Sequence, residues 1–211
     1  MKNRIYSLYQ KLLNQYDQPV GYWPNWCARN KTLKQKEIII ISAVLTQRTT
    51  WHNAELALKN LDRIDVLSIK KIVGLKEKFL AKLIKPAGFY IVKSKRLKDL
   101  CSFLIKDYAG LKGFLKEDLI VARKKLLSLY GIGPETADSI LLYGCDKPSF
   151  VIDEYTRRWV KKHRLAKNLT YDYLKNLFEK NLPKDYRLYQ DFHALIIIDQ
   201  KGAEKSKMAK F

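Results

Sequence analysis

The sequence predicts an all-α protein, and three observations carry that prediction. Apolar residues recur at three- and four-residue spacing through most of the 211 residues, strand-like alternation is rare, and Gly or Pro separates one periodic segment from the next. The breaks fall at Asp17–Trp26, Lys85–Gly88, Tyr130–Pro134, Gly144–Pro148 and Leu182–Asp185. They divide the chain into many short helices, with no internal repeat and no low-complexity tract.

Taken in order, MKNRIYSLYQKLLNQY opens the chain with an amphipathic helical pattern, without the continuous apolar stretch or small-residue cleavage site of a signal peptide. The run IIIISAVL, Ile38 to Leu45, has the composition of a strand, but with the flanking KQKE it makes a segment of helix length. Further on, Leu97, Leu100, Cys101 and Leu104 form one helical stripe, and Tyr173, Leu174, Leu177 and Phe178 another. The polar tail KGAEKSKMAK is expected to fray.

Composition narrows the function. With 41 Lys and Arg against 21 Asp and Glu, the formal charge is +20 and the chain should seek a polyanion, nucleic acid first. A membrane is the weaker alternative, because the most apolar runs, Ile38–Leu45 and Ala194–Ile198, fall short of the ~20 residues a span requires. The expected location is the cytoplasm, associated with the nucleoid. Cys27, Cys101 and Cys145 are odd in number and far apart, which suits buried thiols rather than disulfides or metal ligands. His52, His163 and His193 are equally dispersed, so no metal site is expected. Neither a Ser/His/Asp signature nor a phosphate-binding GxxxxGK[ST] is present.

The most informative stretch is LYGIGPETADSIL, Leu129 to Leu141. Leu126, Leu127 and Leu129 end one helix, Gly131 and Gly133 permit positive φ and close backbone approach, and Pro134 suits the first turn of the next. The N–H groups opening a helix make a phosphate site that positions a duplex without reading its sequence. Two glycines alone would equally fit an ordinary helix pair in a bundle. The segment KPSFVIDEYTRR, Lys147 to Arg158, decides otherwise by placing the carboxylate of Asp153 after a Pro-containing loop. A simple N-cap role is compatible with that position. Glu154 is the weaker candidate for the same chemistry.

LLSLYGIGPETADSILLYG followed by KPSFVIDEYTRR resembles the endonuclease III superfamily of DNA base-excision glycosylases, with its helix-hairpin-helix and its Gly/Pro-rich loop plus Asp. AVLTQRTTW, Ala43 to Trp51, is similar to the family's early helix and wedge loop, and QDFHALI, Gln190 to Ile196, to its last helix. The resemblance implies two helical domains. Residues 33–146 carry wedge and hairpin; residues 1–32 plus 147–211 make a second domain from both chain ends, with the catalytic Asp.

It also implies roles. Asp153 stabilises the oxocarbenium-like transition state of N-glycosidic cleavage. Gln47 fills the gap left by a flipped base, and Arg48, Gly131, Gly133 and Thr136 meet the DNA backbone. Family enzymes that also cut the backbone use a lysine at the position that Glu135 occupies here, so the resemblance points to a monofunctional glycosylase using water, with a glycosylase/lyase or an oxidised-purine glycosylase as alternatives and a non-enzymatic hairpin module as the rival of another class. Tyr22, Trp23 and Pro24 in GYWPNW, with Trp51, are similar to the Trp-Pro element and aromatic of the 3-methyladenine glycosylase branch, and imply a pocket that stacks a cationic base. Trp23, Trp26 and Trp51 are equally suited to the core. Many members carry four C-terminal cysteines for an iron–sulfur cluster; this tail has none, so no cofactor is expected. The expected partner is damaged double-stranded DNA, bound by a monomer.

Overall fold

The structure is a computed structural model that describes residues 2–20, 23 and 26–202. Of the tail expected to fray, Lys201 ends the last helix and Gly202 caps it, and residues 203–210 lie outside the described residues. All regular elements among the described residues are helical. In chain order they are α1 (Lys2–Tyr16), α2 (Leu33–Leu45), α3 (Trp51–Arg63), α4 (Ile69–Gly74), α5 (Glu77–Leu83), a 3₁₀ turn (Lys85–Ala87), α6 (Tyr90–Tyr108), α7 (Leu111–Phe114), α8 (Leu119–Leu127), α9 (Pro134–Ser139), a π turn (Ile140–Gly144), α10 (Glu154–Lys162), α11 (Tyr171–Asn181) and α12 (Tyr186–Lys201). Among the described residues, no helix is long and apolar enough to cross a membrane.

The chain forms two compact units, one of Thr32–Ile140 and one of Met1–Lys31 with Leu141–Phe211. The division falls inside the π turn, ahead of the Gly144–Pro148 break where the sequence places it. The reason is local: Leu141, Leu142 and Tyr143 are buried, and the Leu142 carbonyl accepts from Gln190 Nε2 at 2.7 Å, which ties this turn to α12.

In the Thr32–Ile140 unit, α2 is the central helix. A capping box starts it: Thr32 Oγ1 accepts from the Gln35 N–H, and Gln35 Oε1 accepts from the Thr32 N–H at 2.7 Å. That start settles the IIII run as helix. Every residue from Ile39 to Leu45 is buried, as befits a helix covered by α3, α6, α7 and α9. On α6 the stripe Leu97, Leu100, Cys101 and Leu104 is buried, and the helix packs on α4 and α5. Helices α8 and α9 pack together, joined by the Arg123–Asp138 ion pair, with Nε to Oδ1 at 2.8 Å and Nη2 to Oδ2 at 3.1 Å on a fully buried carboxylate. The two-point geometry fixes their relative orientation.

In the other unit, α12 packs on α1 and α10, and α11 on α1. The core is aromatic: Phe150 stacks on Phe178 at 4.2 Å and meets Tyr189 edge-on at 5.4 Å, and Trp159 stands perpendicular to Phe192 at 5.5 Å. Contacts of this kind contribute ~0.5–1.5 kcal/mol each beyond area burial. The segment before α10 is irregular, yet Phe150, Val151 and Ile152 are buried. Its backbone is satisfied from α11: the Phe150 N–H donates to Glu179 Oε1 at 2.9 Å, and Lys175 Nζ donates to the Phe150 carbonyl at 3.3 Å. Asp153 is thus mounted on a fixed segment.

Candidate active site

Asp153 is the N-cap of α10, and its Oδ1 accepts from the Thr156 N–H at 2.7 Å. The cap therefore uses one oxygen. Oδ2 lies 3.4 Å from Nε2 of His193, too far for a well-formed hydrogen bond but close enough for a strong electrostatic contact. Burial alone would raise this carboxyl; the charge and proximity of His193, with Thr156, outweigh it and hold the group below its ordinary range. Asp153 is thus an ionised carboxylate with one oxygen loosely held, suited to stabilising positive charge and unsuited to donating a proton. Glu154 is exposed and pairs with Arg158 at 2.9 Å, an ordinary helix-surface pair.

Around Asp153 the structure gathers groups that the sequence did not single out. Tyr143, on the π turn, has its hydroxyl 2.7 Å from His193 Nδ1. Lys201, at the end of α12, holds its ammonium 5.6 Å from the Trp23 ring centre and 5.2 Å from that of Tyr155. Burial lowers the Lys201 pKa, and the Asp153 charge works against that. Trp23 is buried with a φ of +45°, a left-handed conformation costly for an aromatic residue and held by its surroundings. Tyr22 and Pro24, expected beside it in the base pocket, lie outside the described residues. Trp26 packs at 4.8 Å against Tyr143. His193 carried one sequence signal, its place directly before the apolar run Ala194–Ile198; Lys201 carried none.

The hairpin lies in the Thr32–Ile140 unit. Gly131 has φ +76°, the left-handed conformation that favours glycine, and a Cβ there would lie 2.0 Å from Arg96 Nε and displace that side chain. Gly133 corrects the expectation of positive φ: at φ −87° it is extended, and a Cβ would meet nothing within 4 Å. A glycine permits positive φ without using it, and a helix N-cap calls for extended backbone. Pro134 opens α9 as expected, and Glu135 is exposed in its first turn.

Gln47 and Thr136 are hydrogen-bonded to each other at the hairpin. Gln47 Nε2 donates to the Gly131 carbonyl and to Thr136 Oγ1, both at 3.0 Å, while its Oε1 accepts from Arg96 at 2.8 Å. Gln47 thereby ties the turn after α2 to the hairpin. Thr136 is buried, and its hydroxyl accepts from Gln47. Arg48 is exposed at φ +51°, its guanidinium 5.5 Å from the Phe89 ring centre. Trp51 is half-buried at the start of α3. Beneath this turn, the buried Lys93 donates to the carbonyls of Leu45 and Ala87, both at 2.7 Å. In sequence it reads as one more surface lysine.

Residues 41–184 match the family described as HhH-GPD superfamily base excision DNA repair protein. The chain belongs to this superfamily. Over 92% of its length it is 41% identical to a provisionally named DNA repair glycosylase of Methanocaldococcus jannaschii, covering 85% of that protein. It is 30% identical to endonuclease III of Thermotoga maritima, across 70% of this chain and 65% of that one. Among solved structures, a 3-methyladenine DNA glycosylase of H. pylori bound to 1,N6-ethenoadenine superposes with a TM-score of 0.78 at 30% identity, over 95% of this chain and 97% of the other. The iron–sulfur cluster of many superfamily members does not fit the cysteines present. Cys101 lies in one unit and Cys27 and Cys145 in the other, all buried, and burial pushes the Cys27 thiol up to about 12.

Proposed function

We propose that this HhH-GPD protein is a monofunctional DNA glycosylase that hydrolyses the N-glycosidic bond of a positively charged N-alkylated purine, of the 3-methyladenine type. The observation that carries the reading is Asp153: half-buried, ionised, held on one oxygen by a backbone N–H and placed at a fixed helix start. As the bond to the base breaks, positive charge grows on the sugar. A carboxylate already desolvated and oriented stabilises that charge without reorganising. An N-alkylated base carries its own positive charge and leaves as a neutral molecule, so the site needs no strong general acid. The 30% identical structural relative that is a 3-methyladenine glycosylase supports the same substrate class.

In this reading the Gly131 hairpin and Arg48 meet the phosphate backbone of duplex DNA, Trp23 and Trp51 stack the base, and Gln47 leaves its hairpin contacts to fill the gap. The enzyme works as a monomer in the cytoplasm without an iron–sulfur cluster. Glu135 supplies no amine, so hydrolysis by water is favoured over a covalent lyase step. The alternative of lyase activity rests on Lys201, whose amine lies within the electrostatic reach of Asp153. Incubation with duplex DNA treated with a methylating agent tests both. The expected result is release of 3-methyladenine ahead of 8-oxoguanine from matched duplexes, with no borohydride-trapped adduct. Preferred release of 8-oxoguanine would overturn the substrate class, and a trapped adduct the monofunctional reading.

A further inference from the structure

Arg29, Arg123 and Arg158 each pair with a carboxylate, those of Asp191, Asp138 and Glu154. Arg96 pairs with none among the described residues. Its Nη1 donates to an uncharged amide oxygen, Gln47 Oε1 at 2.8 Å, and its Nε is buried without a hydrogen-bond partner among the described residues. That nitrogen lies against the hairpin, where a Cβ on Gly131 would be 2.0 Å from it. The charges beside it have its own sign. Arg96 is close enough to Lys93 to help lower that pKa, and Lys95 shares with Arg96 the exposed Tyr130 ring, at 5.8 and 5.7 Å from its centre. A guanidinium beside two ammonium groups, with one donor orphaned and another on an uncharged oxygen, has unspent capacity for an anion.

We propose that Arg96 is a DNA phosphate-binding residue that Gln47 occupies in the free protein: when Gln47 leaves the hairpin, the donor it held takes a backbone phosphate beside Gly131. The inference rests on the proposed reading of Gln47 as the gap filler and of the hairpin as the element that meets the duplex. Gln47 joins three groups in the free protein, donating from Nε2 to the Gly131 carbonyl and to Thr136 Oγ1 while Oε1 accepts from Arg96. Its departure breaks all three contacts. On Arg96 an uncharged acceptor is then replaced by a charged one that suits the guanidinium, so the DNA backbone offsets part of the cost of releasing the side chain. Such coupling is reciprocal. A phosphate on Arg96 makes Gln47 easier to release, and a Gln47 drawn into the duplex tightens the grip on the backbone.

The position of Arg96 on α6 suits this exchange. Its guanidinium touches the turn after α2 through Gln47 and the hairpin through Gly131 and Tyr130, all within the Thr32–Ile140 unit. The contact with Gln47 is one hydrogen bond, and the Tyr130 ring beside it is uncharged, so nothing in this cluster neutralises the guanidinium before DNA arrives.

The test is the salt dependence of affinity, measured on an undamaged duplex and on the same duplex carrying a tetrahydrofuran abasic-site analogue. The analogue presents a gap whatever base the enzyme releases, so the result is independent of the substrate. For the wild type, the slope of log affinity against log salt should be steeper on the analogue duplex by about 0.9, the contribution of one more neutralised phosphate. Arg96→Gln should abolish that difference and leave the slope on undamaged duplex unchanged. Arg96→Lys keeps the charge and should keep most of the difference. Gln47→Ala frees Arg96 without a gap to fill, so it should show the steeper slope on both duplexes. A difference that survives in Arg96→Gln, one that is lost in Arg96→Lys as well, or a Gln47→Ala slope at the wild-type value on undamaged duplex overturns the proposal. Two results separate it from the reading beneath it. Equal wild-type affinity for the two duplexes would count against Gln47 as the gap filler, and the proposal falls with that reading. Unequal affinities with equal wild-type slopes overturn the proposal alone.

Discussion

Single residues separate what the sequence announces from what it hides. Gly131 and Gly133 look alike in LYGIGP, yet only Gly131 uses positive φ and sits against Arg96. Gly131→Val should therefore distort the hairpin and weaken duplex binding by tenfold or more, at about 1.4 kcal/mol per factor of ten. Gly133→Ala should leave affinity nearly unchanged. Equal effects in a salt-controlled binding assay would contradict the difference in backbone geometry. Trp51 offers a second residue-level test. If it stacks the base, Trp51→Ala should cost ~1–3 kcal/mol in 3-methyladenine excision while Trp51→Phe retains most of it. If both substitutions cost the same and Tm falls in parallel, Trp51 is core. Asp153 was legible because its spacing from the hairpin is distinctive. His193 and Lys201 were not, because what makes them notable is the company they keep in the fold.

Elements were legible in proportion to their length and to the cleanness of their stripe. Helices α6 and α11 could be read from the recurrence of Leu97, Leu100, Cys101 and Leu104, and of Leu174, Leu177 and Phe178. The four-residue α7 and the π turn could not, because one turn shows no period. The link between α2 and the segment before α6 was equally hidden, since it depends on Lys93 being buried. Burial pushes the Lys93 ammonium down to about 8, with Arg96 adding to the effect, although its two carbonyl partners favour the charge. Between about 8 and the unperturbed 10.5 the unfolded chain binds the extra proton, so this group makes stability rise with pH across that window; below it the cost of burying the charge is present in full. The difference in urea stability between wild type and Lys93→Met should accordingly change across that window and be flat below it. The substitution should also leave the Leu45 and Ala87 carbonyls without their donor, at ~1–3 kcal/mol each. A difference that is flat at all pH values would mean that burial does not shift the Lys93 ammonium.

At the scale of the whole molecule, the proposed function assigns binding to a charge of +20 and the helix-hairpin-helix, and chemistry to one carboxylate. These are separable functions. Binding should be dominated by released counterions: duplex affinity is expected to fall by about three orders of magnitude between about 50 and 200 mM salt if some six phosphates are neutralised. Catalysis should depend instead on a charge that matters only once the sugar becomes positive. Asp153→Asn is therefore the most direct test. It keeps an oxygen to cap α10 and removes the negative charge. Measured together on one methylated duplex, its affinity should stay within a few-fold of wild type while single-turnover release of 3-methyladenine falls by about 1,000-fold or more. Near-normal release, or a loss of release matched by an equal loss of binding, would contradict the assignment of Asp153 as the reacting carboxylate.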